Sequence, residues 1–458
     1  MTVLWTDALV YLLLLTTIGL AFYLHDKEHI QRPLNKIRAS KVGMVSLVVL
    51  LFFLVVGLLD SVHFKASQEK ANEVISLLDY FATPLREHNE KTYSAPFATT
   101  LYSKEIVEQN GVIHWDYPRL VHGGNHLKYP GKEQLTDILI KGLTGFLIGV
   151  VIFVFPLIPI IDVRDYIINF VSNQNDIVPI VKPPTEYNKP VLMTLFLILT
   201  ISSTLGYLSL YYHVLGTDKV GEDVFYQAIK SIRTGLVIGT LTTLIMLPLA
   251  IIFGILAGFF QGWVDDVIQY IYTTLNSIPG VLLIAASILM VQVYMNSHEA
   301  DFTSAIVRAD MRLLFLCLIL GVTSWTGLCR LLRAETLKLR EMEYVQAAQA
   351  LGVKRAAILL RHILPNVMHI VLISVVLDFS SLVLAEAVLS YINIGVDAAT
   401  YSWGNMINGA RLEMAREPIV WWSLSAAFVF MFALVLAANL FADVVQDAFD
   451  PRSMGERN

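Results

Sequence analysis

Of the 458 residues, 55% are apolar and only 16% charged, and the formal net charge is −5. The apolar excess is gathered into nearly charge-free blocks, each long enough to cross a hydrocarbon layer ~30 Å thick. This excludes a single soluble core, a disordered chain and a secreted disulfide scaffold. No basic surface is left for nucleic acid, and Cys317 and Cys329 read as small buried hydrophobes rather than a disulfide or metal pair.

In chain order, apolar runs predict spans near 8–24, 43–59, 143–161, 190–212, 234–256, 268–295, 313–332, 366–390 and 419–442. The expected fold class is all-α: a polytopic membrane protein of about nine transmembrane helices, because lipid offers no partner for open backbone groups. The first block has no basic lead and no small-residue cleavage site after it, so it reads as a retained span. Orientation follows from Lys and Arg. With 25–42, 162–189, 333–365 and the C-terminal tail cytoplasmic, and Arg330 and Arg333 counted at a helix end, that side holds 17 of the 33 basic residues. Of those on the opposite side, nine lie in the long segment 60–142, which the rule does not count, so short loops divide 17 to 7. One blemish is the short loop Gly258–Asp266, cytoplasmic by this count, which carries two Asp and no base.

The segment from about 60 to 139 is polar, contains Pro84, Pro96, Pro118 and Pro130, and ends near the turn-prone run His122-Gly123-Gly124-Asn125. It reads as a cap on the outer mouth of the bundle, or more sharply as a docking or gating element. Pro156 and Pro159 are expected to bend the third span and Pro248 the fifth.

Between the seventh and eighth spans, Arg340 to Gly352 is rich in Glu, Met, Gln, Ala and Leu, which are good helix formers. Met342, Val345 and Ala348 put a modest apolar strip on one side. Gly352 is placed to end that helix in a left-handed conformation. Two alanines and the glycine make a low surface that another protein's backbone could approach. Pro365 suits the first position of the next span. A short helix, a sharp corner and a second helix result. An ordinary amphipathic connector would have the same composition.

The stretch resembles the EAA loop of ABC importer permeases, the coupling helix that sits in a cleft of the ATP-binding subunit. Gln346-Ala347-Ala348, Gly352 and Leu364-Pro365 stand at the family spacing, with Gln346 replacing Glu and His362 replacing a common Ile. Other segments resemble the second permease subunit of the dipeptide and oligopeptide (peptide/nickel) branch. Leu215-Gly-Thr-Asp-Lys-Val-Gly-Glu-Asp223 resembles L-G-T-D-x-x-G-R-D with Glu222 in place of Arg, and Arg233 follows at a matching distance. Ala257 to Asp265, Ser277-Ile-Pro279, Ala385 to Ser390, Ser402 to Met406 and Asp450-Pro-Arg452 resemble further landmarks of that branch. The resemblance covers 215–452 closely and 34–59 loosely. It implies coupling residues Glu343, Tyr344, Gln346, Ala347, Ala348, Gly352, Leu364 and Pro365. It also implies ATP-binding subunits, a second permease subunit, an extracytoplasmic solute-binding protein, and residence in the bacterial cytoplasmic (inner) membrane. The expected organisation is an additional N-terminal span and basic segment (1–33), a family-like first span (34–59), an external insert (60–139), two additional spans (140–212), the permease core (213–452) and a tail (453–458).

The chain has no G-x-x-x-x-G-K-[ST] phosphate loop, so energy is expected from a separate ATPase. No catalytic, metal or cofactor residues are assigned, and His122 and His126 lie in a glycine-containing loop poorly suited to hold a metal. Intramembrane acids point to the path, because a carboxylate in lipid is costly and is tolerated facing a wet cavity. Asp378 near mid-span and Glu386 two turns on lie ~80° apart on the helix; Glu386 equally suits a structural bond to loop backbone. The expected function is a permease subunit moving peptides or peptide-like solutes. An ion-coupled secondary transporter, using Asp378 and Glu386, would need no coupling loop, and a membrane receptor would place its working part in 60–139.

Overall fold

A computed structural model describes residues 4–24, 28–65, 74–109, 112–156, 188–298 and 304–449. Helix α1 (Trp5–Leu24) is followed by the amphipathic α2 (Glu28–Ala39) and the apolar α3 (Lys41–Ser61). Ser40 caps α3 by accepting a hydrogen bond from the Gly43 amide. Two small antiparallel hairpins follow: β1 (His63–Lys65) with β2 (Val74–Ser76), and β3 (Glu105–Gln109) with β4 (Val112–Asp116). His63 stands opposite Ser76 in the first, and Glu105 opposite Asp116 in the second. The short α4 (Leu77–Phe81) and α5 (Thr83–Glu87) lie between them.

Helices α6 (Pro130–Val154) and α7 (Asn188–Leu208) pair closely. A Cβ on Gly145 would lie 2.9 Å from Thr204 Cα, and one on Gly149 would lie 2.7 Å from Thr200 Cα. The Ser203 hydroxyl donates to the Gly145 carbonyl at 2.9 Å. Gly145 and Gly149 are thus a small-residue seam of the kind that joins helices in lipid.

The centre of the molecule is α8 (Val224–Phe260), 37 residues long or about 55 Å. Around it stand α3, α11 (Ala305–Ser324), α12 (Thr326–Arg340), α15 (Leu364–Tyr391) and α17 (Trp422–Phe449). Its N-cap is Asp223, which accepts from the Tyr226 amide. Gly239 leaves room for the Phe379 ring, and Gly254 and Gly258 bring α12 against the backbone of α8. The remaining elements are α9 (Trp263–Ser277), α10 (Gly280–Ser297), α13 (Glu343–Ala350), α14 (Arg355–Ile358) and α16 (Trp403–Glu413), with a π-helical turn at Leu359–Ile363.

Seven helices among the described residues are long and apolar enough to cross a membrane. They correspond to seven of the nine expected spans. Of the other two, α1 is apolar over the shorter stretch Trp5–Gly19, and α11 carries Arg308, Asp310 and Arg312. Asp310 accepts from the Thr6 hydroxyl and the Trp5 amide at the start of α1, so its charge is held between helices.

Several boundaries differ from expectation. The run at 268–295 is two helices, because Ile278 and the Pro279 N-cap separate α9 from α10. The run at 313–332 breaks at Trp325, between α11 and α12. α6 starts at Pro130 and stops at Val154, so Pro156 follows the helix instead of bending it; Pro159 lies outside the described residues. Pro248 lies inside α8, which continues through it. Most of the segment 162–189 also lies outside the described residues.

The described residues between 62 and 129 form a cap on the end of the bundle where α8 begins. Asp79 accepts from Lys230 at 2.6 Å and from the Tyr226 hydroxyl at 2.7 Å, both on the first turns of α8. Tyr102 packs edge-on against Trp422 with ring centres 4.8 Å apart. Gly221 touches Glu90 so closely that a Cβ would fall 1.8 Å from its carbonyl oxygen. At the heart of the joint, buried His213 bonds Asp223 through Nδ1 at 2.7 Å and places Nε2 3.4 Å from Glu90. Glu90 also accepts from the amides of Val121, His122 and Gly123.

Burial disfavours the charged imidazole, but the bond to Asp223 and the nearby Glu90 outweigh it and raise its pKa to about 9. Burial likewise opposes ionised Glu90, yet His213 and the three amides hold its pKa down to about 2. Stability from His213 is therefore complete below its ordinary 6.5 and is lost as pH rises through about 9. That from Glu90 is complete above 4.5 and is lost as pH falls through about 2.

Two measurements check this packing. Hydrogen exchange of the cap segment 90–101 should be slowest near pH 5–6 after correction for intrinsic rates and should speed up toward pH 9; a flat corrected profile would contradict the joint. Gly258→Ala should lower detergent-denaturation stability by about 1–3 kcal/mol, since its Cβ would lie 2.7 Å from the Arg333 carbonyl oxygen. Gly327→Ala, with open space around it, should not.

Candidate functional site

At the end of α8 remote from the cap, α12 turns at Glu341 into α13, which forms the first limb of a helical hairpin. Val345 is fully buried there, together with Ile358 and Ile363 on the second limb, in a cluster with Ala257, Phe259 and Leu332. This apolar seam fixes the hairpin to α8 and α12. The corner is a Schellman motif: the Gly352 amide donates to the Gln349 carbonyl and the Val353 amide to the Ala348 carbonyl. Gly352 has φ +75°, and no atom lies within 4 Å of where its Cβ would stand. At this corner Leu351 is 84% exposed; elsewhere on the hairpin Leu360 is 64% exposed, and Met342 and Tyr344, at the base of α13, are about half as open as Leu351.

Glu343, Gln346 and Ala347 are exposed on the outer side of α13, while Ala348 leans on the buried cluster. The Tyr344 hydroxyl accepts from Asn366, whose amide also donates to the His362 carbonyl, so the two limbs are tied at their bases. As expected, Pro365 stands in the first turn of α15, although helical structure already runs up to it from Arg355. Its ring would clash with the carbonyl of Arg361 in a regular helix, and the π-helical turn Leu359–Ile363 just before it opens the spacing.

Residues 250–454 match the family described as binding-protein-dependent transport system inner membrane component. The chain is 30% identical over 240 residues to the glutathione transport system permease protein GsiD of Pectobacterium atrosepticum, covering 52% of this chain and 73% of that one. It is 30% identical over 240 residues to the oligopeptide transport system permease protein OppC of Bacillus subtilis, covering 52% and 72%. With the dipeptide transport system permease protein DppC of Lactococcus lactis it shares 30% over 241 residues, covering 53% and 64%. The chain belongs to the binding-protein-dependent transport permeases. It is an inner-membrane, non-catalytic component of a family that works with ATP-hydrolysing subunits and a binding protein.

Within this permease, the change from Glu to Gln at 346 has a local partner. The Gln346 side chain donates to Glu341, at 3.2 Å to its carbonyl and 3.4 Å to its carboxylate. A glutamate at 346 would set two carboxylates against each other. The acidic first turn of α9, a blemish in the charge count, is also accounted for in part. Asp265 takes two hydrogen bonds from Arg333, both 2.6 Å, and these hold its carboxyl below the usual range.

The two membrane acids are not brought together. Asp378 is half-buried and lines a cavity of about 540 Å3 with Ser324, Arg330, Leu331 and Ser374. Among the described residues its carboxylate has no hydrogen-bond or ion-pair partner. Glu386 is 1% exposed. It accepts from Ser390 at 2.6 Å, and Ser390 in turn accepts from the Val396 amide, which braces the turn after α15. His122 and His126 part company as well: His122 stacks on His88, and His126 bonds Asp137.

Sequence reading missed the contribution of α1. Asp7 accepts from Arg233 at 2.6 Å and pairs with His63 at 2.9 Å. An acid one turn from the start of an apolar helix was the available signal. Leu351 was missed too, although its place beside Gly352 could have marked it.

Gly352→Val would force a β-branched residue to positive φ, at a local cost of about 1–2 kcal/mol. Because no neighbour among the described residues is near that Cβ, membrane insertion should be normal, while recovery of the ATP-hydrolysing subunits with the permease should drop. Normal recovery and normal uptake would contradict a coupling role.

Proposed function

We propose that this chain is one of two permease subunits of an ATP-driven importer for peptides or peptide-like solutes. The observation that carries this reading is the hairpin 341–363, anchored beneath by Val345 and Ile358 and apolar at its exposed corner, in a chain of this family. A protein that supplied its own energy by ion coupling would have no use for such a corner. Glu343, Tyr344, Gln346, Ala347, Ala348 and Gly352 form the surface offered to the ATPase, and Leu364 and Pro365 lead its motion into α15. The names of the relatives, which carry glutathione, dipeptides or oligopeptides, support a peptide-like cargo.

In this reading nine helices cross the membrane: the seven long apolar ones, α1, and α11 with its charges neutralised at one end. The cap faces the extracytoplasmic side, where a solute-binding protein delivers cargo, and a second permease subunit closes the path. Asp378 lines that path. Its open cavity and unpartnered carboxylate support this more than anything at Glu386, which acts as a brace.

Liposomes holding this chain, its partner permease and ATP-hydrolysing subunits should take up peptide only with ATP and the binding protein; uptake driven by an ion gradient alone would overturn the proposal. In the same liposomes Asp378→Asn should leave assembly intact and reduce uptake of free-amine peptides about tenfold more than of N-acetylated ones. Detergent stability should change by less than ~0.5 kcal/mol, since no partner is lost. A fall of about 1–3 kcal/mol with no cargo selectivity would make Asp378 a structural residue.

A further inference from the structure

Beside the cap lies a second cavity, of about 380 Å3, whose wall carries Asp218, Glu222 and Glu413 together with Thr400 and Asn405. Three features of its wall point to a ligand. Glu413 is 7% exposed and gives one carboxylate oxygen to the Tyr93 hydroxyl at 2.9 Å. Its other oxygen is buried with no hydrogen-bond partner, and so is the Thr400 hydroxyl. Glu222, where the motif it resembles has Arg, adds another carboxylate to that wall.

No basic side chain makes an ion pair with these acids among the described residues: Lys230 pairs with Asp79 at 2.6 Å, Arg416 lies 5.0 Å over the Tyr93 ring, and Arg416 and Lys219 act on Glu413 only through their charge. Glu222 is held by the Tyr401 hydroxyl and by Gln227, which also donates to Asp218 at 2.7 Å. These bonds fix the carboxylates in place without neutralising them. Burial, and then the charge of Asp218, raises the pKa of Glu222, and burial does the same for Glu413. Asp218 and Glu222 share the Gln227 amide, and among the described residues no group of three His, Cys, Asp or Glu side chains stands at metal-ligand spacing. Such a layout suits a group with several diverging N–H donors.

We propose that this cavity binds an organic cation, a primary ammonium or guanidinium group carried by a small solute. An inserted lysine of a docked protein has the same chemistry, but a volume of about 380 Å3 is in the range of small-molecule pockets and exceeds what one side chain fills. The cation would donate to the free oxygen of Glu413 and to Thr400, with Glu222 and Asp218 completing its neutralisation. If the importer reading holds, the solute is a peptide, recognised at its amino terminus before it enters the bundle.

The test is calorimetric titration of the full-length chain in nanodiscs with Ala-Ala, with N-acetyl-Ala-Ala, and with an end-blocked peptide bearing one Lys. Ala-Ala should bind saturably and the acetylated form should not. Glu413→Gln and Glu222→Gln should each weaken binding at least about tenfold; thermal unfolding should be unchanged for Glu413→Gln, whose amide oxygen keeps the bond to Tyr93, whereas Glu222→Gln keeps the bond to Tyr401 and loses the one from Gln227. No saturable binding of Ala-Ala, or binding indifferent to both substitutions, overturns the site. Binding of the Lys peptide alone overturns the assignment to a small solute. ATP-driven uptake of Ala-Ala separates the two readings: it is lost if the importer reading fails, and it persists if only this site fails.

Discussion

Helix α8 meets α12 backbone to backbone at Gly254 and Gly258, and the placement of everything at that end of the molecule depends on this contact. A side chain at either position would push the helices apart and open the pocket that receives Val345 and Ile358. Dispersion across so close an approach is the main attraction available in lipid, where the hydrophobic effect does not drive helices together. The hairpin is consequently packed on the end of a helix that runs about 55 Å to the cap.

At the opposite end the attraction is of another kind. Cap and bundle are joined by buried charges, with His213 between Asp223 and Glu90, and Lys230 beside Asp79. Asp7 of α1 adds to this by pairing with Arg233, so the additional first helix is fixed to α8 through its polar end. Charge pairs of this sort hold a geometry more than they add net stability. They suit an end of the molecule that must keep polar groups in place beside an aqueous cavity. Small-residue packing at one end and charge pairing at the other leave α8 as the mechanical link between them.

Features set by local chemistry were legible in the sequence. The turn at Gly352 needed only a helix-forming run and a residue tolerant of positive φ, and the family membership rested on several such landmarks in order. The apolar blocks located the long helices, but averaging over ~20 residues concealed the break at Ile278-Pro279 and the one at Trp325. What depended on distant partners was not legible. Glu90, His213 and Asp223 are ordinary polar residues until the chain brings them together. Asp378 and Glu386 share a helix and a broad side; the structural reading of Glu386 was available from the sequence, but not that Ser390, one turn on, and the Val396 amide would complete the brace while Asp378 stays open to a cavity. The glycine pairs 145/149 and 254/258 could be read as close-contact seams, but nothing local says which helix each one meets.

The central claim is that force from ATP hydrolysis enters through the corner of the hairpin. Leu351 is 84% exposed at that corner, and the two native cysteines, Cys317 and Cys329, are fully buried, so a cysteine placed at 351 can be cross-linked selectively. In native membranes Leu351→Cys treated with a short thiol-to-amine cross-linker should yield an adduct of the permease with its ATP-hydrolysing subunit. Adding Gly352→Val should suppress that adduct. A cysteine at 351 that is reactive toward small thiol reagents yet captures no ATP-hydrolysing subunit would contradict the account.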